Sequence, residues 1–472
     1  SVHVVLGGDV DATAIIDGVS ITEGSADSGT GEYSLGGGLY IVDGSPTVNN
    51  VTFKDNQATI GGAVHIEGSD SRPNFTDCTF SGNSVFYDGG AVNSQDASPQ
   101  FSNCTFSVNF ALDGVGGALQ VKGTGLLLAT DCTFSNNESV YGGGGVEVVS
   151  ANPKFIRCTF SANTTSSGAG GGVENDQGTP EFDTCNFSGN TSNYAGGGLI
   201  SWSGNVIVSD STFSSNQDSG DYGGGGVFNY KGNPSFAGCT FDSNYADYGG
   251  GFYNLEGAPI FQTCIFTSNA EGQNEGQGGG GGLFNYDGAP IVTGCTFSYN
   301  SAAFGAGIYN YFDAVLAANP LISRCIFNDN SSSATEGGGA GIVNWNAQPR
   351  IYNCAFTGNT ARVGAAIWNE ADGVGGILAN CLFASNTATD SGGAIYNPSD
   401  TVNCTFYGNK ATTGAAIYDE AGKTLANCIL YGNTATTQGN PVEATSLIIS
   451  YSLVEGGYVG LFNLDANPNF LD

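Results

Sequence analysis

Acidic side chains are the residues from which this chain could most readily build an active site. It carries 43 Asp and Glu against 11 Lys and Arg, a formal net charge of −32. Paired carboxylates at a workable separation on one face hydrolyse glycosidic bonds. The acidic pairs here, Asp218 with Asp221 and Asp242 with Asp247, fall in loops, where a solvated acidic edge accounts for them. A polysaccharide lyase would need an Arg or Lys base beside calcium-binding carboxylates, yet Arg324, Arg350 and Arg362 occupy unrelated offsets of successive repeats. An active site also tends to interrupt a repeat with residues foreign to it, and this repeat stays regular. No catalytic residue is therefore assigned, and the chain is expected not to be an enzyme, with a lyase or hydrolase as the alternative.

Thiols come next. All 13 cysteines share one register of the repeat, at a slot that Val51, Ser211 and Tyr451 also fill. The slot thus asks for a small inward residue, and a buried thiol stack fits better than cross-links, because stacked side chains pointing in parallel do not readily reach a disulfide torsion. No Cys-x-x-Cys pair occurs and the histidines are His3 and His65 alone, which disfavours a transition-metal centre. Rings form the other recurrent group: Tyr87 beside Asp88, Tyr141, Tyr194, Tyr222, Tyr248 and Phe304 each precede a glycine run. Either they cover backbone left bare by glycine, or they form a stripe on which sugar faces stack while acids bind hydroxyls or calcium. The longest of these loops spans residues 271–280. The basic residues are too scattered to neutralise a phosphate backbone, so nucleic acid is excluded and anionic membrane surfaces are disfavoured. An acidic surface is, however, suited to calcium.

The elements that position these residues follow from the repeat itself. Slots lie mostly 23 to 31 residues apart, and with Val19, Val51, Ser211 and Tyr451 added to the cysteines there are 17 coils. Cys78-Thr79-Phe80, Cys104-Thr105-Phe106 and Cys132-Thr133-Phe134 alternate as a strand does, with Cys and Phe inward and Thr outward. A second short strand follows proline, as in Pro73-Asn74-Phe75, and its odd spacing to Cys78 requires a corner between them. A third follows the glycine run, as in Gly62-Ala63-Val64. The expectation is an all-β parallel β-helix of about 17 coils with three short strands per coil. At roughly 4.8 Å per rung it would be a rod about 80 Å long. It would be one domain over 1–472, with an irregular N-terminal coil at 1–35, regular repeats at 36–440 and a closing segment at 441–472. Asn83, Asn109 and Asn137 recur three residues after each Phe, where asparagine tolerates left-handed backbone and stacked amides bond between rungs.

These motifs match a known pattern. Phe80 to Asn83 with Gly62-Ala63-Val64 and Gly90-Ala91-Val92 resembles the repeats of polymorphic outer-membrane adhesins. Coils such as Gly281 to Asn300, and the tail with Tyr451-Ser452-Leu453-Val454-Glu455-Gly456 and Asp465-Ala466-Asn467-Pro468, resemble bacterial right-handed β-helix surface proteins that end in a variable sorting anchor. The resemblance covers nearly the whole chain and implies a right-handed β-helix outside the cell or on its surface. It departs from the pattern in having neither an outer-membrane barrel after the repeats nor an anchor after Asp472. The chain opens at Ser1 without methionine and shows no leader, which fits a processed chain with flanking parts outside this numbering.

The expected role is a structural and adhesive protein that assembles with copies of itself into a filament or layer and binds glycans or cell surfaces, with carbohydrate binding or degradation as the alternative. Two features motivate self-association. Neither terminus shows a capping helix over its open strand edge. Ile265, Ile326, Leu382 and Ile429 replace threonine in the outward column and would form a contact face, unless that column packs beneath a loop such as residues 311–319.

Overall fold

The computed structural model describes residues 3–26, 31–272, 278–313, 319–335, 337–370, 376–420, 422–437 and 440–470. It divides into two compact units, Ser1–Cys239 and Thr240–Asp472. Both are all-β, and among the described residues the only helical element is one 3-10 turn, Gly31–Ser34.

One coil of the first unit defines the plan. Strand Val64–Glu67 lies in sheet A, Asn74–Thr76 in sheet B, Thr79–Ser81 in sheet C and Ser84–Asp88 in sheet D, and Val92–Gln95 returns to sheet A. The returning strand lies parallel to its predecessor with Val92 opposite Val64. The second unit repeats the plan with Phe252–Leu255, Ile260–Gln262, Ile265–Thr267 and Ala270–Glu271, after which Leu283 pairs opposite Phe252. The three expected strands are therefore present, and a fourth joins them directly after the corner Asn. Sheet D is illegible from sequence because most of its strands, such as Phe110–Ala111 and Thr164–Thr165, are two residues long and show no period.

Each corner is turned by a single residue with positive φ. Asp77 (φ 53°) and Asn103 (φ 53°) separate sheet B from sheet C, so Phe75 and Cys78 both point inward despite their odd spacing. The C to D corner corrects an expectation. The recurring Asn keeps ordinary backbone, and the left-handed position is the residue before it: Asp55, Gly82, Val108, Asn136 and Ala162. Asparagine is needed there for its side chain. Asn83 Nδ2 donates to Asn109 Oδ1 at 3.0 Å and to the Phe53 carbonyl at 3.0 Å, while the Asn83 backbone N–H donates to the same Asn109 oxygen at 3.1 Å. The pattern runs through Asn109, Asn137, Asn163 and Asn190 in the first unit and from Asn269 to Asn409 in the second. It satisfies amides that are fully buried.

Between the sheets lies an aromatic core. Phe53, Phe80, Phe106, Phe134, Phe160, Phe187 and Phe213 stack with ring centroids 4.4 to 5.1 Å apart and nearly parallel planes. Phe241 to Phe406 do the same in the second unit. All 13 cysteines are buried free thiols. The backbone N–H of Cys325, Cys354 and Cys381 each donates to the Sγ of the next cysteine at 3.4 Å. Serine can replace the thiol, since the Cys185 N–H donates to Ser211 Oγ at 2.9 Å. In the last coil the slot belongs to Ser452 rather than Tyr451. Ser452 Oγ accepts the Cys428 N–H at 3.0 Å, whereas Tyr451 takes the left-handed corner and faces solvent. A bulky ring cannot occupy the small inward slot.

Past the last slot the chain folds back on its own backbone, with no helix among the described residues there. The Tyr451 and Val454 N–H groups donate to the Leu461 and Leu464 carbonyls, and Asn463 Nδ2 donates to the Ile449 carbonyl. Phe470 then rests against Tyr407 and Tyr431.

Candidate functional site

Each regular sheet A strand alternates inward and outward residues, and in many of them the first outward residue is buried all the same, while Glu174, Trp368, Tyr396 and Tyr418 are half-buried. Val64 and Ile66 face the core while His65 between them faces away, yet His65 is 2% exposed. The turn that carries the chain from sheet D into sheet A covers this column. That turn is narrow because of glycine: a Cβ on Gly90 would collide with the Gly117 carbonyl of the next coil. The expected ring stripe sits on this same turn. Tyr87, Tyr141, Tyr194 and Tyr222 are exposed, and Tyr248 and Phe304 are half-buried. Tyr141 donates its hydroxyl to Asp113 Oδ1 at 3.2 Å. Among the described rings Tyr87 meets only Phe86, and the remaining four lean on the outer face of sheet A. Tyr194 lies 6.4 Å from Trp202 and Tyr222 6.2 Å from Phe228, Tyr248 lies 6.2 Å from Tyr253, and Phe304 lies 6.1 Å from both Tyr309 and Trp368. The stripe thus runs beside the outer face of sheet A, and in the second unit that face forms the floor of a cavity.

In the first unit this outward column is polar from Asn93 to Glu174 and apolar at Ile200 and Phe228. Asn93, Gln120, Glu147 and Glu174 occupy successive rungs in register. Asn93 Nδ2 donates to Gln120 Oε1 at 2.5 Å. Glu147 is 7% exposed and its Oε2 has no hydrogen-bond partner. Burial, followed by the nearby Glu174, Asp88 and Asp176, holds its carboxyl well above the usual carboxylate range, with Lys122 opposing. Glu174 is pushed up to about 8, chiefly by burial, although Trp202 Nε1 donates to its Oε1 at 2.7 Å. Both carboxylates crowd the turn at Gly142, where a Cβ would collide with Glu174 Oε2 and come within 3.6 Å of Glu147 Oε2. These are the paired carboxylates that the loop pairs are not. Asp218 is instead buried and accepts the Gly220 and Gly223 N–H groups at 3.2 and 3.0 Å.

In the second unit the floor is aromatic. Tyr253, Phe284 and Tyr309 follow one another with centroids 4.8 and 5.1 Å apart. Tyr286, Tyr311, Trp345 and Trp368 continue beside them at 5.1, 6.2 and 5.9 Å. Tyr396 and Tyr418 then stack at 5.0 Å. A cavity of about 430 Å³ opens here, lined among others by Trp368, Tyr396, Tyr418, Arg362, Asp390 and Glu420. Arg362 Nη2 donates to Asp390 Oδ2 at 2.9 Å. Glu420 accepts the Tyr396 hydroxyl at 3.0 Å and the Tyr418 hydroxyl at 3.3 Å. Burial first, then Glu420, raises the Tyr396 phenol well above its usual value, so it stays protonated as a donor.

Sequence reasoning missed this floor, although its signal is legible in Leu283-Phe284-Asn285-Tyr286, Ile308-Tyr309-Asn310-Tyr311 and Ile342-Val343-Asn344-Trp345. Of each four, the second and fourth face outward. Of the proposed contact column, Ile265, Ile326 and Leu382 are more than 40% exposed and Ile429 is half-buried. Thr296, Ala355 and Thr405 alternate with them on the intervening rungs. Residues 273–277 of the 271–280 loop and 314–318 of the 311–319 loop lie outside the described residues. Among the described residues no group of three or more His, Cys, Asp or Glu side chains is placed to hold a metal, and no helix is long and apolar enough to cross a membrane.

Stacked parallel sheets, inward ladders and single-residue corners define a parallel β-helix. The family described as the right handed beta helix region matches residues 117–278 and again 279–471, and the chain belongs to it. No curated protein matches the chain. Among solved structures it is similar to the Siphovirus 9NA tailspike receptor binding domain at 12% identity and a TM-score of 0.19, over 98% of this chain and 74% of that one, a likeness too low to bear on function.

Proposed function

We propose that this protein is an extracellular adhesive β-helix that binds carbohydrate in the cavity over sheet A. The observation that carries the reading is the second unit's aromatic floor, where Trp368, Tyr396 and Tyr418 line an open cavity beside Arg362, Asp390 and Glu420. Carbohydrate recognition needs this combination of flat apolar surface for the faces of sugar rings and fixed polar groups for their hydroxyls. The ring stripe offers further stacking surface beside sheet A, outside the cavity's lining, and the acidic surface suits calcium as an auxiliary ligand. A glycan array read with the wild type, with Trp368→Ala and Tyr418→Ala, and with a Tyr141, Tyr194, Tyr222 and Tyr248 to Ala variant tests the reading. Loss of binding in the floor variants is expected, and unchanged binding in all of them contradicts it.

Self-association is the second reading, favoured by the exposed Ile265, Ile326 and Leu382 in one column. Sedimentation velocity at rising salt and calcium checks it. Oligomers that vanish in Ile326→Asp support the column as a contact face, and monomers under all conditions remove it.

A further inference from the structure

Charge inside the second unit's cavity is unevenly matched. Its lining holds three carboxylates, Glu370, Asp390 and Glu420, against one guanidinium, Arg362. Arg362 is committed to Asp390 at 2.9 Å. The Glu420 carboxylate accepts the Tyr396 and Tyr418 hydroxyls, and its backbone N–H donates to Asn397 Oδ1 at 2.9 Å. Two hydroxyls thus hold the carboxylate while the third bond fixes its backbone, in a cavity that Trp368 and the two stacked phenols also line. Aromatic surface next to fixed negative charge attracts an ammonium group through ring quadrupole and Coulomb energy together. The same surplus repels a sugar acid.

We infer that this cavity selects sugars carrying a free amino group, an amino sugar in preference to its N-acetylated, neutral or acidic counterpart. The inference rests on the carbohydrate-binding reading and adds the class of sugar. A hexosamine offers an apolar ring face to the aromatic floor and an ammonium to Glu420, whereas acetylation removes the charge and a uronic acid reverses it. The preference weakens as salt rises, because Glu420 is exposed to solvent.

Titration calorimetry tests this at pH 5.5 and about 0.15 M salt, a concentration that screens the chain's overall charge beyond roughly 8 Å. The probes are trisaccharides of glucosamine, N-acetylglucosamine and glucuronic acid. The glucosamine trimer is expected to bind about five- to tenfold more tightly than the acetylated one, with the acidic trimer weakest. Glu420→Gln should reduce that preference to less than about twofold, with the acetylated trimer little affected. Glu181→Gln, which removes an equal charge from the first unit, should leave it intact. Equal or tighter binding of the acetylated trimer, or a preference indifferent to Glu420→Gln, overturns the amine selectivity while leaving carbohydrate binding in place. Failure of all three probes, together with an empty glycan array, overturns both.

Discussion

Glu147 and Glu174 carry the clearest pH dependence. Both fold into the outer face of sheet A on adjacent rungs, and both are held above the ordinary carboxylate range, Glu174 at about 8. A carboxyl whose folded pKa is raised binds its proton more tightly in the folded state. Its favourable contribution is complete below the unfolded value near 4.5 and is lost as pH rises towards the folded value. The first unit should therefore lose stability as pH rises from about 4.5 towards 8. The loss falls short of full linkage because Glu174 keeps contact with solvent. Thermal melts of the wild type and Glu147→Gln at pH 5 and pH 8.5 check this. The variant should melt higher than the wild type at pH 8.5 and nearly level with it at pH 5, and identical melts at both pH values contradict the account. Neither glutamate stood out in the sequence, because a Glu after a strand-starting valine, as in Val146-Glu147 and Val173-Glu174, reads as an ordinary outward strand position. Its burial depends on a turn from the neighbouring coil, which no local pattern reports.

The ladders show how much of an element is legible and where legibility stops. Cys, Phe and Asn recur at fixed offsets, and their inward placement follows from a period of two. That carried the B and C strands, the thiol column and the amide ladder directly from residue types. The role of Asn was half right: the amide bonds were foreseen, but the left-handed residue is its predecessor, because positive φ is available to Asp55, Val108 and Ala162 once the corner demands it. Replacing Asn190 with Ala would leave the Asn163 N–H and Nδ2 and the Phe160 carbonyl without their partner. Such buried losses cost about 1–3 kcal/mol each before water relieves them. A destabilisation of about 2–4 kcal/mol in denaturant melts is expected, and a change under about 0.5 kcal/mol would show that the ladder is ornamental. The thiol column makes a separate prediction. Ellman's reagent should find essentially no reactive thiol in the native protein and all 13 in denaturant without reductant, and a shortfall there would reveal disulfides.

At the scale of the molecule, a net charge of −32 makes copies repel one another, so any association through the Ile265, Ile326 and Leu382 column should strengthen with salt or calcium. Family membership fixes the scaffold and leaves function to the site built on it. Here the proposed site is a cavity whose floor was hidden in plain alternation along sheet A, while the rings before glycine that the sequence displayed lie outside its lining. The central claim is that carbohydrate occupies this cavity, and a structure solved with the tightest-binding oligosaccharide tests it most directly. Sugar rings should lie in the second unit's cavity against Trp368, Tyr396 and Tyr418, with a polar substituent at Glu420. Sugar found instead on the outward threonine column of sheet C, with the sheet A cavity empty, would contradict it.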